Sequence, residues 1–237
     1  MIDLHTHVLP GFDDGVRSIE EARELARAAA AEGVATIAAT PHVRDDYPTA
    51  VERMERGVRL LNADFAEQGI GVEVITGGEL DLRRLWELDP DDVARFTLGG
   101  AGRWLLLETP YRGWPELLPR TVEALRRQGI ETLLAHPERN DEVQRDPSRL
   151  APLVGEGMRV QVTAGSVDGR IGDAARRCSF ALIELGLVHV LASDAHGPDV
   201  RGVGFASAIE ALGDDALAAR LTEEAPLGMI VRDGHDA

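Results

Sequence analysis

Short leucine-rich or β-branched runs alternate along this chain with longer stretches in which apolar residues recur every three to four positions. The clearest helix starts at Ser18. Ser18 and Glu21 form a capping box, Glu20 and Glu21 suit the positive end of the helix dipole, and Gly33 stands where a C′ residue belongs. Between them, Ala22, Leu25, Ala26 and Ala29 make an apolar stripe at helical spacing. Residues 34–40 then read as a buried strand, and 49–68 as a helix stopped by Gly69. Further strands are expected at 2–4, 72–76, 104–108, 131–135, 159–163 and 188–192, and further helices at 116–128, 147–156, 171–185 and 200–212.

Seven strands, nearly all followed by a helix, imply a parallel sheet, either closed or open. No Pro/Gly/Ser-rich linker divides the 237 residues, so the whole chain reads as one α/β domain. The positions of the polar residues favour a closed seven-stranded (β/α)7 TIM-like barrel. The first strand runs into His5-Thr6-His7, the second into Pro41-His42, and the third into Gly78-Glu79. The fourth ends at Glu108, the fifth at His136 and the seventh at Asp194-Ala195-His196. In a closed barrel all these strand ends open on one face, whereas an open sheet spreads them along an edge.

Charge narrows the function. Lys plus Arg number 25 and Asp plus Glu 41, a formal charge of −16 that disfavours nucleic-acid binding and polybasic membrane docking. The single cysteine, Cys178, permits neither an internal disulfide nor a Cys-rich zinc cluster. No basic segment leads into an apolar run at the N-terminus, and no stretch approaches ~20 uninterrupted apolar residues. The expectation is a cytoplasmic globular protein.

Taken singly, the polar residues are weak signals. His189 lies inside an apolar strand and reads as a packed core residue, and His235 sits in a polar tail and reads as inert. His-x-His occurs by simple strand alternation. Five of the seven histidines nevertheless stand at strand ends, together with Glu79, Glu108 and Asp194. Imidazole plus carboxylate without thiolate suits Mn²⁺, Fe²⁺ or Zn²⁺. Asp14, in the Asp13-Asp14-Gly15 turn, offers another oxygen. Four carboxylates in one pocket repel one another unless cations intervene.

The ordered segments Ile2-Asp3-Leu4-His5-Thr6-His7, Asp13-Asp14-Gly15, Ala39-Thr40-Pro41-His42, Gly78-Glu79, Leu107-Glu108, Ala135-His136-Pro137-Glu138-Arg139, Gln161-Val162-Thr163-Ala164-Gly165-Ser166 and Ala192-Ser193-Asp194-Ala195-His196 span most of the chain. They resemble the PHP (polymerase and histidinol phosphatase) superfamily, specifically its bacterial capsule and exopolysaccharide tyrosine-protein phosphatases (CpsB/YwqE-like). The resemblance implies a distorted seven-stranded barrel and three divalent metal ions, with Mn²⁺ favoured over Fe²⁺ or Zn²⁺. By position, His5, His7, Glu79 and Asp194 hold the first ion. Glu79 bridges to a second, completed by Glu108 and His136. Asp14, His42 and His196 hold the third, with Asp13 an alternative to Asp14. Three dications against four carboxylates leave about +2, enough to attract a phosphate dianion into an acidic protein. Arg139 and Arg201 match the family's active-site arginines, their plain alternative being surface ion pairs.

Two other phosphatase chemistries fail on the sequence. Six residues beyond Cys178 stands Glu184, so a Cys-x5-Arg loop is absent, and Asp89-Pro90-Asp91 reads as a turn entering a helix rather than as a phosphoaspartate motif. There is also no Gly-rich P-loop with its lysine. The resemblance implies metal-dependent hydrolysis of phosphotyrosine on the tail of a bacterial tyrosine autokinase controlling polysaccharide export. The alternatives are a histidinol-phosphate or other small-molecule phosphatase and, in another class, a non-catalytic metal-binding scaffold. Tyr47, Tyr111, Arg112 and Trp114 lie close after strand ends, where they either shape specificity or simply pack.

Overall fold

The computed structural model describes residues 1–198 and 201–231. Among these are ten strands: β1 (Ile2–Thr6), β2 (Thr36–Ala39), β3 (His42–Arg44), β4 (Tyr47–Pro48), β5 (Glu73–Ile75), β6 (Glu79–Asp81), β7 (Trp104–Glu108), β8 (Glu131–Ala135), β9 (Arg159–Thr163) and β10 (Val190–Ala192). One sheet runs β1-β2-β5, the other β10-β9-β8-β7-β6-β3-β4. All pairings are parallel except the small β3–β4 hairpin.

The count exceeds seven because two expected strands break and resume. β2 passes into β3 through Thr40-Pro41, where proline has no N–H for a ladder. β5 passes into β6 through Thr76-Gly77-Gly78, and Phe96 lies 2.7 Å from where a Cβ at Gly78 would sit. Glu79 N donates to Pro41 O (3.1 Å), joining the two interrupted strands across the break. Beyond β10 the chain returns to β1: Asp194 N donates to His5 O (2.8 Å) and His7 N to Ala195 O (2.9 Å).

Helices Ile19–Ala31, Val51–Glu67, Leu118–Arg127 and Asp173–Glu184 lie within the expected stretches. Ser18 caps the first, its side chain accepting from Glu21 N. Asp89 caps Pro90–Arg95 with its carboxylate on Asp91 N, so that acidic run is a helix start. The stretch 147–156 is not one helix but a 3-10 turn, Pro147–Leu150, followed by Ala151–Gly155. The helix expected at 200–212 spans Phe205–Leu212; Val200, like His235, lies outside the described residues. Asp215–Ala219 and Ala225–Ile230 are additional.

Alternation along the strands sorts side chains into two layers. Leu4, Ala38, Trp104, Leu106, Leu133, Val190 and Ala192 pack in an inner cluster with Met229. Leu105, Leu107, Leu134, Val160 and Val162 face the helices and meet Leu25, Phe65, Leu125 and Leu182. Burial on both faces is why these strands are nearly continuous apolar runs. A leucine such as Leu106, with no exposed surface, contributes on the order of 2–3 kcal/mol. The period of two also carries Glu108 to the inner side, two residues past Leu106, and Asp194 likewise past Ala192. On β1 a register shift intervenes. Asp3 pairs Ile37 but Thr6 pairs Ala39, one extra residue on β1. That slip reverses the alternation, so His5 and His7 face the same side as Leu4.

Candidate metal centre

The strand-end residues singled out in the sequence converge. His5 Nε2 lies 3.4 Å from both Glu79 Oε1 and Asp194 Oδ1. His7 Nε2 lies 3.3 Å from Asp194 Oδ1 and 3.5 Å from Glu79 Oε2. His136 Nε2 meets Glu79 Oε1 at 2.8 Å. Asp14 Oδ1 is 3.3 Å from His42 Nε2 and 3.4 Å from His196 Nε2. Glu108 Oε2 completes a group with His42 and Glu79, 3.8 Å from His42 Nδ1. Four groups result whose candidate ligand atoms lie within 4.8 Å of one another: His5-His7-Asp194, His5-Glu79-His136, His42-Glu79-Glu108 and His7-Asp14-His42-His196.

Local backbone features aim these groups. His136 (φ 33°) and Asp194 (φ 51°) are the non-glycine residues with positive φ among those described. Such conformations cost roughly 1–2 kcal/mol each, and His136 also precedes a proline, where helical angles are disfavoured. Gly15 is required by close approach: a Cβ there would fall 2.3 Å from His7 O and 2.4 Å from His7 Cβ.

Three of the five imidazoles are oriented from behind. His7 Nδ1 donates to Asp13 Oδ2 (2.7 Å), His5 Nδ1 to Gln161 Oε1 (3.1 Å) and His196 Nδ1 to Asp194 O (2.9 Å). With Nδ1 protonated, the Nε2 lone pairs face the cluster, as in most metal-binding histidines. Asp13 is therefore engaged by His7 and also accepts from His42 N and Gly15 N, while Asp14 faces the imidazoles. Gln161 was not anticipated. Its signal in the sequence is a single amide flanked by Val160 and Val162 in the middle of a strand.

The electrostatics call for positive charge. Burial and the neighbouring Glu79 carboxylate push Glu108 up to about 7. Burial and the Arg139 guanidinium hold His136 down at about 4. Burial opposes ionisation of Asp13, but the His7 imidazole outweighs it and brings the carboxyl to about 2. His42 Nδ1 and Glu79 Oε2 lie 2.7 Å apart yet neither has a hydrogen-bond partner, and His196 Nε2 is buried without one. Buried polar atoms left without partners in two neighbouring groups, His42-Glu79-Glu108 and His7-Asp14-His42-His196, are what divalent cations would satisfy. The residues fit such ions.

Arg139 and Arg201 both reach Asp194. Arg201 Nη2 donates to Oδ2 at 2.6 Å, and Arg139 Nη2 forms an ion pair with the same oxygen at 2.6 Å. Arg139 is nearly buried and also touches Thr163 Oγ1 (3.3 Å), whereas the Arg201 side chain is 38% exposed. Arg44 adds a third guanidinium, 3.6 Å from Glu108. Tyr47 packs on His42 and under Arg44, with ring centroids 5.7 Å apart and the guanidinium at 5.1 Å. His189 lies away from this cluster, its Nδ1 accepting from Val160 N (3.2 Å), a structural role. Cys178 is buried and free, its thiol pushed up to about 12 by burial.

Imidazoles and carboxylates gathered beyond parallel strand ends define a hydrolase-type α/β protein built to hold divalent ions. The family model for capsular polysaccharide synthesis proteins CpsB/CapC matches residues 1–222, and the chain belongs to that family. It is 34% identical over 232 residues to the tyrosine-protein phosphatase YwqE of Bacillus subtilis, covering 96% of this chain and 91% of that one. The tyrosine-protein phosphatase CpsB of Streptococcus pneumoniae is 27% identical over 209 residues, covering 85% of each. A crystal structure from the study of YwqE and CpsB as metal-dependent tyrosine phosphatases superimposes with a TM-score of 0.86 at 32% identity, covering 97% and 94% of the two chains. A Listeria monocytogenes lactonase, Lmo2620, shares the fold alone, with a TM-score of 0.66 at 11% identity over 98% and 95% of the chains. Among the described residues no helix is long and apolar enough to cross a membrane.

Proposed function

We propose that the protein is a metal-dependent protein-tyrosine phosphatase. The observation that carries this reading is the convergence of nine imidazole and carboxylate ligands with two arginines on one centre, in a chain whose relatives are tyrosine-protein phosphatases. On this reading His5, His7, Glu79 and Asp194 would hold a first ion, Glu79, Glu108 and His136 a second, and Asp14, His42 and His196 a third. Mn²⁺ is the favoured metal, with Fe²⁺ or Zn²⁺ compatible with the same donors. The contacts between 193–195 and β1 support closure of the two sheets into a distorted seven-stave barrel, and residues 1–237 form one domain on this reading.

Bound divalent cations lower the pKa of water from 15.7 to about 7 and polarise phosphoryl oxygens. The protein's own residues do the rest. Asp13, Gln161 and the Asp194 carbonyl accept the Nδ1 protons of His7, His5 and His196, fixing the tautomers that point lone pairs inward. Arg139 and Arg201 bind the equatorial phosphoryl oxygens and stabilise the charge that spreads over them. Tyrosinate, with a parent pKa of about 10, leaves without strong general-acid help.

The substrate class is phosphotyrosine in proteins, with the tail of a bacterial tyrosine kinase that controls capsule or exopolysaccharide synthesis as the physiological partner, met in the cytoplasm. The test is phosphate release from phosphotyrosyl peptides by Mn²⁺-loaded protein. Release abolished by Asp194→Ala supports the reading, and no release at full metal occupancy refutes it.

A further inference from the structure

A cleft of about 600 Å³ opens from the two arginines that hold Asp194. Its inner end is formed by Arg139 and Arg201, one side by Tyr111 and Gln144, and the rest by Ile171, Asp173, Ala174 and Ala175. Tyr111 and Ile171 are 48% and 39% exposed, and they are among the few large apolar side chains the described surface leaves open. Both are held in place. Tyr111 O accepts from Asp141 N (2.9 Å), and its ring lies 5.8 Å from that of His136. Ile171 N donates to Gly165 O (3.0 Å), and a Cβ at Gly165 would come within 3.1 Å of Ile171 Cγ1, so that glycine makes room for the isoleucine.

We propose that the cleft between Tyr111 and Ile171 receives the aromatic ring of the substrate, and that these two side chains select aryl over alkyl phosphomonoesters. The inference rests on the phosphatase reading above. In an aryl phosphate the ring stands one oxygen from phosphorus, so a phosphoryl group on Arg139 and Arg201 carries the ring directly between the two apolar walls. A phosphoserine places only one methylene there before polar backbone follows, and an apolar wall disfavours unpaired amides. The neighbouring cleft of about 580 Å³ offers no such apolar walls, being lined by Asp13, Asp14, Arg17, Glu21, Glu24 and His196 beside Arg201. A ring packed against Tyr111 and Ile171 gains an affinity increment of about tenfold.

The test measures binding of benzylphosphonate and of methylphosphonate to Mn²⁺-loaded protein by calorimetry, so it does not depend on turnover. Wild type is expected to bind benzylphosphonate at least about tenfold more tightly. Tyr111→Ala and Ile171→Asp are expected to bring that ratio toward one, whereas Tyr111→Phe retains it. Both positions are partly exposed, and thermal melts confirm that each variant is folded. A ratio near one in wild type, or a ratio unmoved by either substitution, overturns the proposal. Failure of wild type to hydrolyse p-nitrophenyl phosphate in a parallel assay refutes the phosphatase reading instead, so the two failures are distinct.

Discussion

Arg139 and Arg201 meet on a single oxygen of Asp194, each Nη2 lying 2.6 Å from Oδ2, although one closes the 3-10 turn Pro137–Arg139 and the other follows 62 residues later. Asp194 Oδ1 meanwhile faces His5 and His7. One carboxylate thus links the imidazole cluster to the two guanidinium groups proposed above to receive the phosphoryl group. Arg139, the more buried, is expected to contribute more. Arg139→Ala should lower kcat/KM for a phosphotyrosyl peptide by about 10²–10³-fold and Arg201→Ala by less, as read in steady-state assays at saturating Mn²⁺. Arg139→Lys should recover only part of the loss, because an ammonium lacks the guanidinium fork.

Asp13 acts through His7. Replacing it with alanine removes the acceptor for Nδ1–H and frees the ring to rotate. Metal affinity should fall about 10–100-fold, measured by Mn²⁺ titration, while the fold persists. Asp13→Asn, which keeps an acceptor oxygen, should fall less. Equal losses in both variants would show that charge, not orientation, is what Asp13 supplies.

Gly15 has no room for a side chain against His7. Gly15→Ala must displace the turn carrying Asp13 and Asp14, with an expected stability loss of about 1–3 kcal/mol in denaturant titration. A metal-binding defect should accompany it, whereas Gly71→Ala, where no heavy atom lies within 4 Å of the added Cβ, should show neither.

His189 supplies a pH dependence separate from the metal centre. Burial, with Arg159 and Arg220 nearby, holds its imidazole down at about 4 against an ordinary 6.5. A depressed histidine is neutral in the fold but protonates in the unfolded chain, so stability is lost as pH falls from 6.5 toward 4 and the loss then levels off. His189→Gln removes this contribution. Its melting temperature should decline less than that of wild type across that window, in matched metal-free buffers.

The sequence made the well-formed strands plain. Three of them, Trp104–Glu108, Glu131–Ala135 and Arg159–Thr163, fall where the apolar runs predicted, because leucine and valine buried on both faces leave an unbroken signal. β3, β4 and β6 were not seen: each has three residues or fewer, and Pro41 and Gly77-Gly78 sever two of them from the runs they continue. The C-terminal helices escaped because the short, alanine-rich Asp215–Ala219 has too few turns to establish a period. The site was legible wherever a polar side chain ended an apolar strand, as at Glu108 and Asp194. The supporting residues were not. Whether Asp13 or Asp14 turns inward, and that Gln161 meets His5 from 156 residues away, depend on register across separate strands.

The central claim is that this centre holds three divalent ions, and anomalous diffraction from crystals of Mn²⁺-loaded protein tests it most directly. The account predicts three manganese peaks, bounded by His5, His7, Glu79 and Asp194, by Glu79, Glu108 and His136, and by Asp14, His42 and His196. Full loading with no peak among these residues, or with peaks only elsewhere, would contradict it.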